Sequence, residues 1–255
     1  MTQVGSFSYI LPPAVAVATG LAIIAVVLRW APSTRSRQAF LLMVTELLVW
    51  GIANLGMRLS TNHDVALAWD RLVGVAVIAL FLGFYHFCLE YTNSPIRRRA
   101  LIIGYSVLAV FVAATPAGLV VEDIRVESYG YAPVPGPLAL PSAFAAVAFL
   151  FASVHTLLWR YRSTSSFEER NRLLYMVAGA SLPFIGSLLD LFTNLPPVAI
   201  WTNILFCIVC SIALLRYRLL DIPVVARRIL TYLVLGVLVA VPYVLTLFVL
   251  HEVLG

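Results

Sequence analysis

The chain has 255 residues, of which 62% are hydrophobic and only 11% are charged, and its mean hydropathy is +0.97. A soluble domain typically carries about 25% charged residues, so this composition excludes an ordinary soluble protein and favours one that lies in a lipid bilayer. The formal net charge is +5, and all 17 basic residues are arginines. The lack of lysine excludes a retinal Schiff base and a Walker phosphate loop. No basic face interleaved with exposed aromatic residues is found, so nucleic acid is not an expected partner.

Eight apolar segments follow one another along the chain, and each has about the length that crosses the hydrocarbon core. Each is predicted to be a helix, because an isolated strand would leave backbone groups without hydrogen bonds in lipid. The segments cover roughly residues 7–28, 39–59, 66–91, 100–121, 138–159, 173–193, 198–215 and 229–250. We therefore predict an all-α, polytopic transmembrane bundle with a seven-helix core and an eighth, C-terminal helix.

The arginines predict the orientation of this bundle. The first basic residue, Arg29, follows the first apolar segment, which reverses the charge order of a cleavable signal peptide. Fourteen arginines fall in alternate intervals between the segments, whereas only Arg58, Arg71 and Arg125 fall in the others. Because basic residues collect on the cytoplasmic side, the pattern predicts a multi-pass protein of the inner (plasma) membrane with its N-terminus outside.

Two connecting segments carry local signals. The interval 120–140 alternates apolar and polar residues over Val120–Val126 and then becomes rich in Pro and Gly, which predicts a short extracellular hairpin. Such a hairpin would cover the outer mouth of the bundle, and a plain connector is the alternative. Before the sixth segment, Ser165 or Ser166 precedes Glu168 or Glu169 by three residues, a spacing typical of a capping box that starts a helix.

Polar and aromatic residues gather in the predicted outer half of four helices. On the second helix, Glu46, Trp50, Asn54 and Arg58 recur every four residues, so they lie along one face. Charges that face lipid are unfavourable, so this face should meet protein or water. A pocket with apolar walls and a few polar groups is the usual form of a ligand site. The candidate ligand-binding residues are Trp50, Asn54, Arg58, Trp69, Asp70, Asp190, Asn194, Trp201 and Asn203. The alternative is that these groups tie the helices together, with Arg58 paired with Asp70 or Asp190.

Residues with catalytic or metal-binding chemistry are few. His86 and Glu90 are four residues apart on the third helix and suit a proton relay or metal ligation, with His155 as a further candidate. One histidine and one carboxylate are too few for a zinc site, so a hydrogen-bonded structural pair is favoured. Cys207 and Cys210 are interpreted as small hydrophobic residues. Enzyme motifs are absent, and we predict no catalytic residue, no metal and no cofactor.

Two stretches carry a resemblance to a known family. The first runs from Arg216 to Arg228 and reads RYRLLDIPVVARR, and the second is ERNRLLY at 169–175. Together they resemble the N-terminal seven-transmembrane sensor region of bacterial and archaeal histidine kinases, and the likeness in helix order covers residues 7 to about 228. The resemblance implies a receptor bundle at 1–217 and a cytoplasmic juxtamembrane segment at 218–228, and the apolar pattern adds the eighth helix at 229–255. It implies a signal output through Arg216, Arg218, Asp221 and Pro223.

The expected function is therefore a non-enzymatic sensor that couples an unknown small ligand or a membrane cue to a cytoplasmic signalling module, in the same chain or in a separate one. Whether it forms a homodimer stays open. The sequence departs from the family pattern, because an eighth apolar segment stands where a phosphoacceptor and an ATP-binding region would follow. A small-solute transporter or channel subunit is the alternative. Inverted repeats would favour the transporter, but Pro12–Pro13 and Pro183 do not occupy matching places in two halves.

Overall fold

The computed structural model describes residues 7–127, 130–192 and 198–216, together with the pairs 231–232 and 235–236. Over these ranges the elements are α1 Phe7–Trp30, α2 Arg35–Leu59, α3 His63–Tyr91, α4 Arg97–Ala114, β1 Val121–Glu127, β2 Gly130–Pro135, α5 Ala139–Ser163, α6 Phe167–Phe192 and α7 Ala199–Arg216. Among the described residues, four helices are long and apolar enough to cross a membrane, namely α1, α2, α3 and α5. The chain is therefore a helical membrane bundle. That α4, α6 and α7 also cross stays a prediction, and the predicted eighth helix lies almost wholly outside the described residues.

Several helices begin at side chains that cap their first N–H groups. Thr34 Oγ1 accepts a hydrogen bond from the Arg37 N–H at 3.1 Å, and Asn62 Oδ1 accepts one from the Asp64 N–H at 2.8 Å. At the start of α6, Ser166 Oγ accepts from the Glu169 N–H at 3.4 Å. The predicted helix start at this serine is thus confirmed, since a side-chain oxygen satisfies an N–H that the helix itself leaves without a partner.

The main apolar core joins six helices around α2 and α3. Phe40 of α2 and Phe87 of α3 meet edge to face, with ring centroids 5.5 Å apart. Around them lie residues from α1, α5, α6 and α7, including Val27, Leu157, Leu173 and Phe206. The side chains of Cys88 and Cys207 are buried inside this cluster. The burial of Cys207 among apolar side chains agrees with its interpretation as a small hydrophobic residue.

The predicted hairpin is present as a two-stranded antiparallel sheet. Ile124 pairs with Pro133 and Glu127 with Gly130, and a bulge lies between Val121 and Asp123. Gly130 has a φ of 118°, a conformation that glycine adopts without a Cβ clash. The alternation of residues along β1 therefore predicted the strand correctly.

The hairpin packs against one end of the bundle, which we call the hairpin end. Ile124 and Tyr131 are buried against Met57 of α2 and Ala66 of α3. Arg71 of α3 donates from Nε to the Val121 carbonyl and from Nη2 to the Glu122 carbonyl, each at 3.3 Å. The segment is thus held by apolar contacts and by an arginine, so it is more than a plain connector.

Candidate functional site

The polar stripe of α2 faces the interior of the bundle near the hairpin end. Trp50, Asn54 and Arg58 are 7%, 6% and 5% exposed. Asn54 does not tie two helices together through its amide nitrogen, because Nδ2 donates to the Trp50 carbonyl of its own helix at 2.9 Å. An asparagine bonds back to the preceding turn in this way where the side chain would otherwise lack an acceptor. The stripe therefore supplies one buried indole and one buried guanidinium to the interior.

Arg58 lies beneath the hairpin. A Cβ atom on Gly130 would be 3.3 Å from Nη1 of Arg58, so the guanidinium reaches the turn between β1 and β2. Asp70 of α3 is only 2% exposed, and its charge interacts electrostatically with that of Arg58. An arginine that extended alone to the interface would be exposed. The burial of both side chains favours the pairing of Arg58 with Asp70, which stays a prediction.

A small cavity lies between four helices, deeper in the bundle than Arg58. Its volume is about 10 Å³, close to the space that one water needs. The lining residues come from α2, α3, α6 and α7, and they are Trp50, Val77, Leu80, Phe81, Pro183, Ser187, Ala199 and Asn203. Trp50 Nε1 and Asn203 Oδ1 are buried and have no hydrogen-bond partner among the residues that the structure describes. A donor and an acceptor thus line one apolar cavity without being satisfied. We call Trp50, Ser187, Asn203 and this space the central cavity.

Two of the other predicted site residues, Trp201 and Trp69, lie apart from this cavity. Trp201 packs with Ala16, Ile204 and Ile208 in a cluster between α1 and α7. Trp69 packs with Met57, Leu67, Ile124 and Tyr131 under the hairpin. The side chains of Asp190, Asn194, Arg216, Arg218, Asp221 and Pro223 lie outside the described residues. The predicted site residues that the structure describes therefore fall mainly in two places: the central cavity, and a buried polar layer under the hairpin that contains Arg58 and Asp70.

His86 and Glu90 each have a partner on α4. His86 Nδ1 is hydrogen-bonded to the Tyr105 hydroxyl at 2.8 Å, and Arg97 Nη1 donates to Glu90 Oε2 at 3.0 Å. The distance between His86 Nε2 and Glu90 Oε1 is 3.9 Å, too long for a direct hydrogen bond. His155 is exposed and does not join them. No group of three potential metal ligands occurs in the described part of the chain.

Sequence reasoning missed Tyr105, Gly56 and Arg71. The one tyrosine of α4 and the two glycines of α2, Gly51 and Gly56, gave no periodic signal. Arg71 was counted only as an outside charge, although it anchors the hairpin. Each of these residues acts through a partner far away in the sequence, and a pattern along one helix cannot identify such a partner.

These features define a multi-pass helical membrane protein with a covered polar cluster at one end and arginine-rich connections at the other. The chain matches the family model of the N-terminal 7TM region of histidine kinase over residues 13–223. The match covers most of the chain, so the chain belongs to this family, and the resemblance seen in the sequence is confirmed. This region is the non-catalytic membrane sensor part of histidine kinases, which act in signal transduction. No curated protein matches the chain significantly.

Proposed function

We propose that the chain senses a small, mostly apolar molecule that carries one hydrogen-bonding group, and that this molecule binds in the central cavity. The bound state is passed to a cytoplasmic signalling module, such as a histidine kinase, through the segment after α7. In this proposal residues 1–217 form the sensor bundle, 218–228 the juxtamembrane output segment with Arg218, Asp221 and Pro223, and 229–255 a further helix.

One observation carries the proposal: Trp50 Nε1 and Asn203 Oδ1 line the same cavity, and neither has a hydrogen-bond partner among the described residues. Leaving a buried polar group unsatisfied costs about 1–3 kcal/mol. A hydroxyl group in the cavity can accept from the indole N–H and donate to the amide oxygen. Such a ligand would therefore satisfy both groups at once.

The position of the two groups relates binding to output. Trp50 lies on α2 and Asn203 on α7, and α7 leads directly into the proposed output segment. A ligand that bridges them stabilises one separation of α2 and α7 over others. A ligand shifts a conformational equilibrium only by its differential affinity for the states, and this bridge supplies such a difference.

The size of the cavity sets a condition on the ligand. About 10 Å³ holds one water, so a larger molecule requires a lining helix to move. Pro183 lies inside α6 and lines the cavity. Because proline lacks a backbone N–H, the helix is weakened at this point. We therefore expect α6 to bend at Pro183 when the cavity is filled, which would widen the path to Trp50.

The test uses the full chain in lipid nanodiscs with spin labels at positions 35 and 216, the ends of α2 and α7. The probes are short alcohols, each matched with the alkane of the same length, because alkanes perturb the bilayer without offering a hydroxyl group. Alcohols should change the distance between the labels and alkanes should not. The response should be lost when Trp50→Phe and Asn203→Leu are combined.

An equal response to alcohols and alkanes, or an unchanged response in the double variant, would exclude the central cavity as the site of sensing. Flux of a solute through proteoliposomes without any change in the distance would favour the transporter instead. The matched control is Trp201→Phe, because Trp201 packs in the cluster between α1 and α7 and does not line the cavity.

A further inference from the structure

A carboxyl group lies in the middle of the bundle, away from the central cavity. Glu46 is located near the midpoint of α2, and its Oε2 atom is buried without a hydrogen-bond partner among the described residues. The carboxyl group rests against the backbone of α3 at Gly83, where a Cβ atom would coincide with Oε2. An unpaired ionised group is strongly unfavourable inside a bilayer. The neutral, protonated acid is the form that fits this structure.

Polar side chains continue from Glu46 to the arginine-rich end. Tyr105 of α4 lies within electrostatic range of Glu46, although no hydrogen bond joins the two side chains in the described residues. The Tyr105 hydroxyl is hydrogen-bonded to His86 Nδ1 at 2.8 Å. His86 Nε2 lies 3.9 Å from Glu90 Oε1, and Glu90 Oε2 accepts from Arg97 Nη1 at 3.0 Å. Glu90 and Arg97 lie at the ends of α3 and α4, which the sequence predicts to be cytoplasmic.

Other titratable groups around this row are few. Between Leu11 and Leu28, α1 has no acidic or basic residue. At the arginine-rich ends of α3, α5 and α6 a separate network surrounds Tyr91, and its members are Arg160, Glu168, Glu169 and Arg172. Tyr85 of α3 stacks on Phe149 of α5, and the thiols of α3 and α7 lie in the apolar core. Among the described residues, the side chains of Tyr105 and His86 therefore form the polar path from Glu46 to the arginine-rich end of the bundle.

We propose that Glu46 is a proton-binding site and that it exchanges its proton with the cytoplasm through Tyr105, His86 and Glu90. When Glu46 is ionised, a water between the two side chains carries a proton from the Tyr105 hydroxyl to the carboxylate, because no direct hydrogen bond joins them in the described residues, and Tyr105 takes a proton from His86 Nδ1. His86 then takes a proton at Nε2 from a water that bridges the 3.9 Å gap to Glu90, because Glu90 is the carboxylate partner of Arg97 and has no proton of its own to give. One proton moves in total, and no oxidant or reductant is needed.

Proton release has a structural consequence for the bundle. A carboxylate at Glu46 would face the backbone of Gly83 with no cation beside it in the described residues, so α2 and α3 must separate there or admit water. Protonation and release therefore favour two different packings of α2 against α3. This proposal concerns a different site from the central cavity and does not depend on ligand binding there.

The first experiment is infrared spectroscopy of the full chain in nanodiscs between about pH 5 and about pH 8, the range in which histidines titrate. The native spectrum minus that of Glu46→Gln should contain a protonated-carboxyl band that changes with pH, whereas the native spectrum minus that of Glu168→Gln should contain none. Glu168 is the matched control because its side chain is 82% exposed, and the subtraction removes any band of the buried Asp70. A Glu46→Gln difference spectrum without a pH-dependent carboxyl band would overturn the proposal.

Two variants that retain Glu46 test the proton path through Tyr105 and the contact between Glu46 and Gly83. Tyr105→Phe removes the hydroxyl between Glu46 and His86, so the band should remain while its response to a rapid pH change becomes about tenfold slower or more.

Gly83→Ala should shift the band, because the new methyl group displaces the carboxyl group. In Gly20→Ala the new Cβ would be 3.7 Å from Leu48 Cδ1, an ordinary contact, and the band should not shift. An unchanged rate in Tyr105→Phe, or an unchanged band in Gly83→Ala, would contradict the proposal.

Discussion

The indole of Trp69 rests directly on the backbone of α2 at Gly56. A Cβ atom on Gly56 would be 2.5 Å from Cε2 of Trp69, closer than non-bonded carbon atoms approach. Glycine at this position therefore sets how closely α2 and α3 meet below the hairpin. Close approach of two helix backbones at small residues is typical of membrane bundles, where packing drives helix association.

Gly56→Ala should force Trp69 out of its place and destabilise the bundle by about 1–3 kcal/mol, the usual effect of inserting a methyl group into a well-packed interior. The measurement is unfolding of the purified chain in mixed micelles, with tryptophan fluorescence as a second signal. Gly20→Ala is the control, because its Cβ has ordinary contacts only. Equal stability of the two variants would show that Trp69 does not depend on this contact.

The sequence predicted the helices and strands better than it predicted which residues contact one another. Apolar runs of about 20 residues predicted α1 to α7, and alternation over Val120–Val126 predicted β1, because both signals are local. Of the candidate site residues, Trp50 and Asn203 both line the central cavity, and their role in ligand binding stays a prediction. Trp201 does not line this cavity. Residues two apart on a helix point to nearly opposite sides, so Trp201 and Asn203 could not both face one cavity.

The remaining site residues depend on contacts between distant parts of the chain. Nothing in α2 alone indicates that Glu46 lies against Gly83, and nothing in α4 alone indicates that Tyr105 meets His86. The contacts of Arg71 could not be predicted from the sequence either, because its acceptors are backbone carbonyls of β1. Backbone acceptors are available in every sequence, so their use is visible only in the folded chain.

Arg71 should hold the hairpin on the bundle. Arg71→Met keeps the apolar stem and removes both donors to Val121 and Glu122. We expect a local destabilisation of about 1 kcal/mol, because hydrogen bonds of a partly exposed arginine are weakened by solvent. Hydrogen exchange of amides in 121–127 and 130–135 should become faster while exchange in α2 is unchanged. Arg125→Gln is the control, since Arg125 pairs only with Glu127 among the described residues. Identical exchange in both variants would argue against anchoring by Arg71.

Glu169 should make the connection between α5 and α6 sensitive to acid. The Thr164 hydroxyl and the Arg160 guanidinium, whose Nε lies 2.7 Å from Glu169 Oε1, lower the pKa of this carboxyl group below its usual value. A lowered pKa means that the folded state binds the proton less readily than the unfolded state does. The stabilisation is therefore complete above about pH 5 and is lost as the pH falls below about 4.

The corresponding variant is Glu169→Gln, which should be less stable than the native chain by about 0.5–1 kcal/mol at neutral pH, the size expected of a partly exposed pair. The difference should disappear as the pH is lowered through the range given above. Glu168→Gln should have little effect at any pH, because its side chain is 82% exposed. A stability difference that stayed constant down to about pH 3 would mean that the charge of Glu169 is not its source.

The two ends of the bundle should lie on opposite sides of the membrane, with the hairpin outside. The contacts assign the residues to two groups: Arg58 and Arg71 lie with the hairpin, whereas the pairs Glu90–Arg97 and Arg160–Glu169 lie at the other ends of their helices. Each group must be on a single side, because each is held together by direct contacts. The excess of arginine then predicts that the second group is cytoplasmic.

Single-cysteine labelling with a membrane-impermeant reagent tests this orientation. Arg98 and Glu122 are both exposed, so a cysteine at either position is accessible once the reagent reaches its side. In a background without Cys88, Cys207 and Cys210, Glu122→Cys should be labelled in intact cells. Arg98→Cys should be labelled only after the membrane is permeabilised. Labelling of Arg98→Cys in intact cells would reverse the orientation. The relay from Glu46 would then open to the outside, and the hairpin would cover the cytoplasmic end.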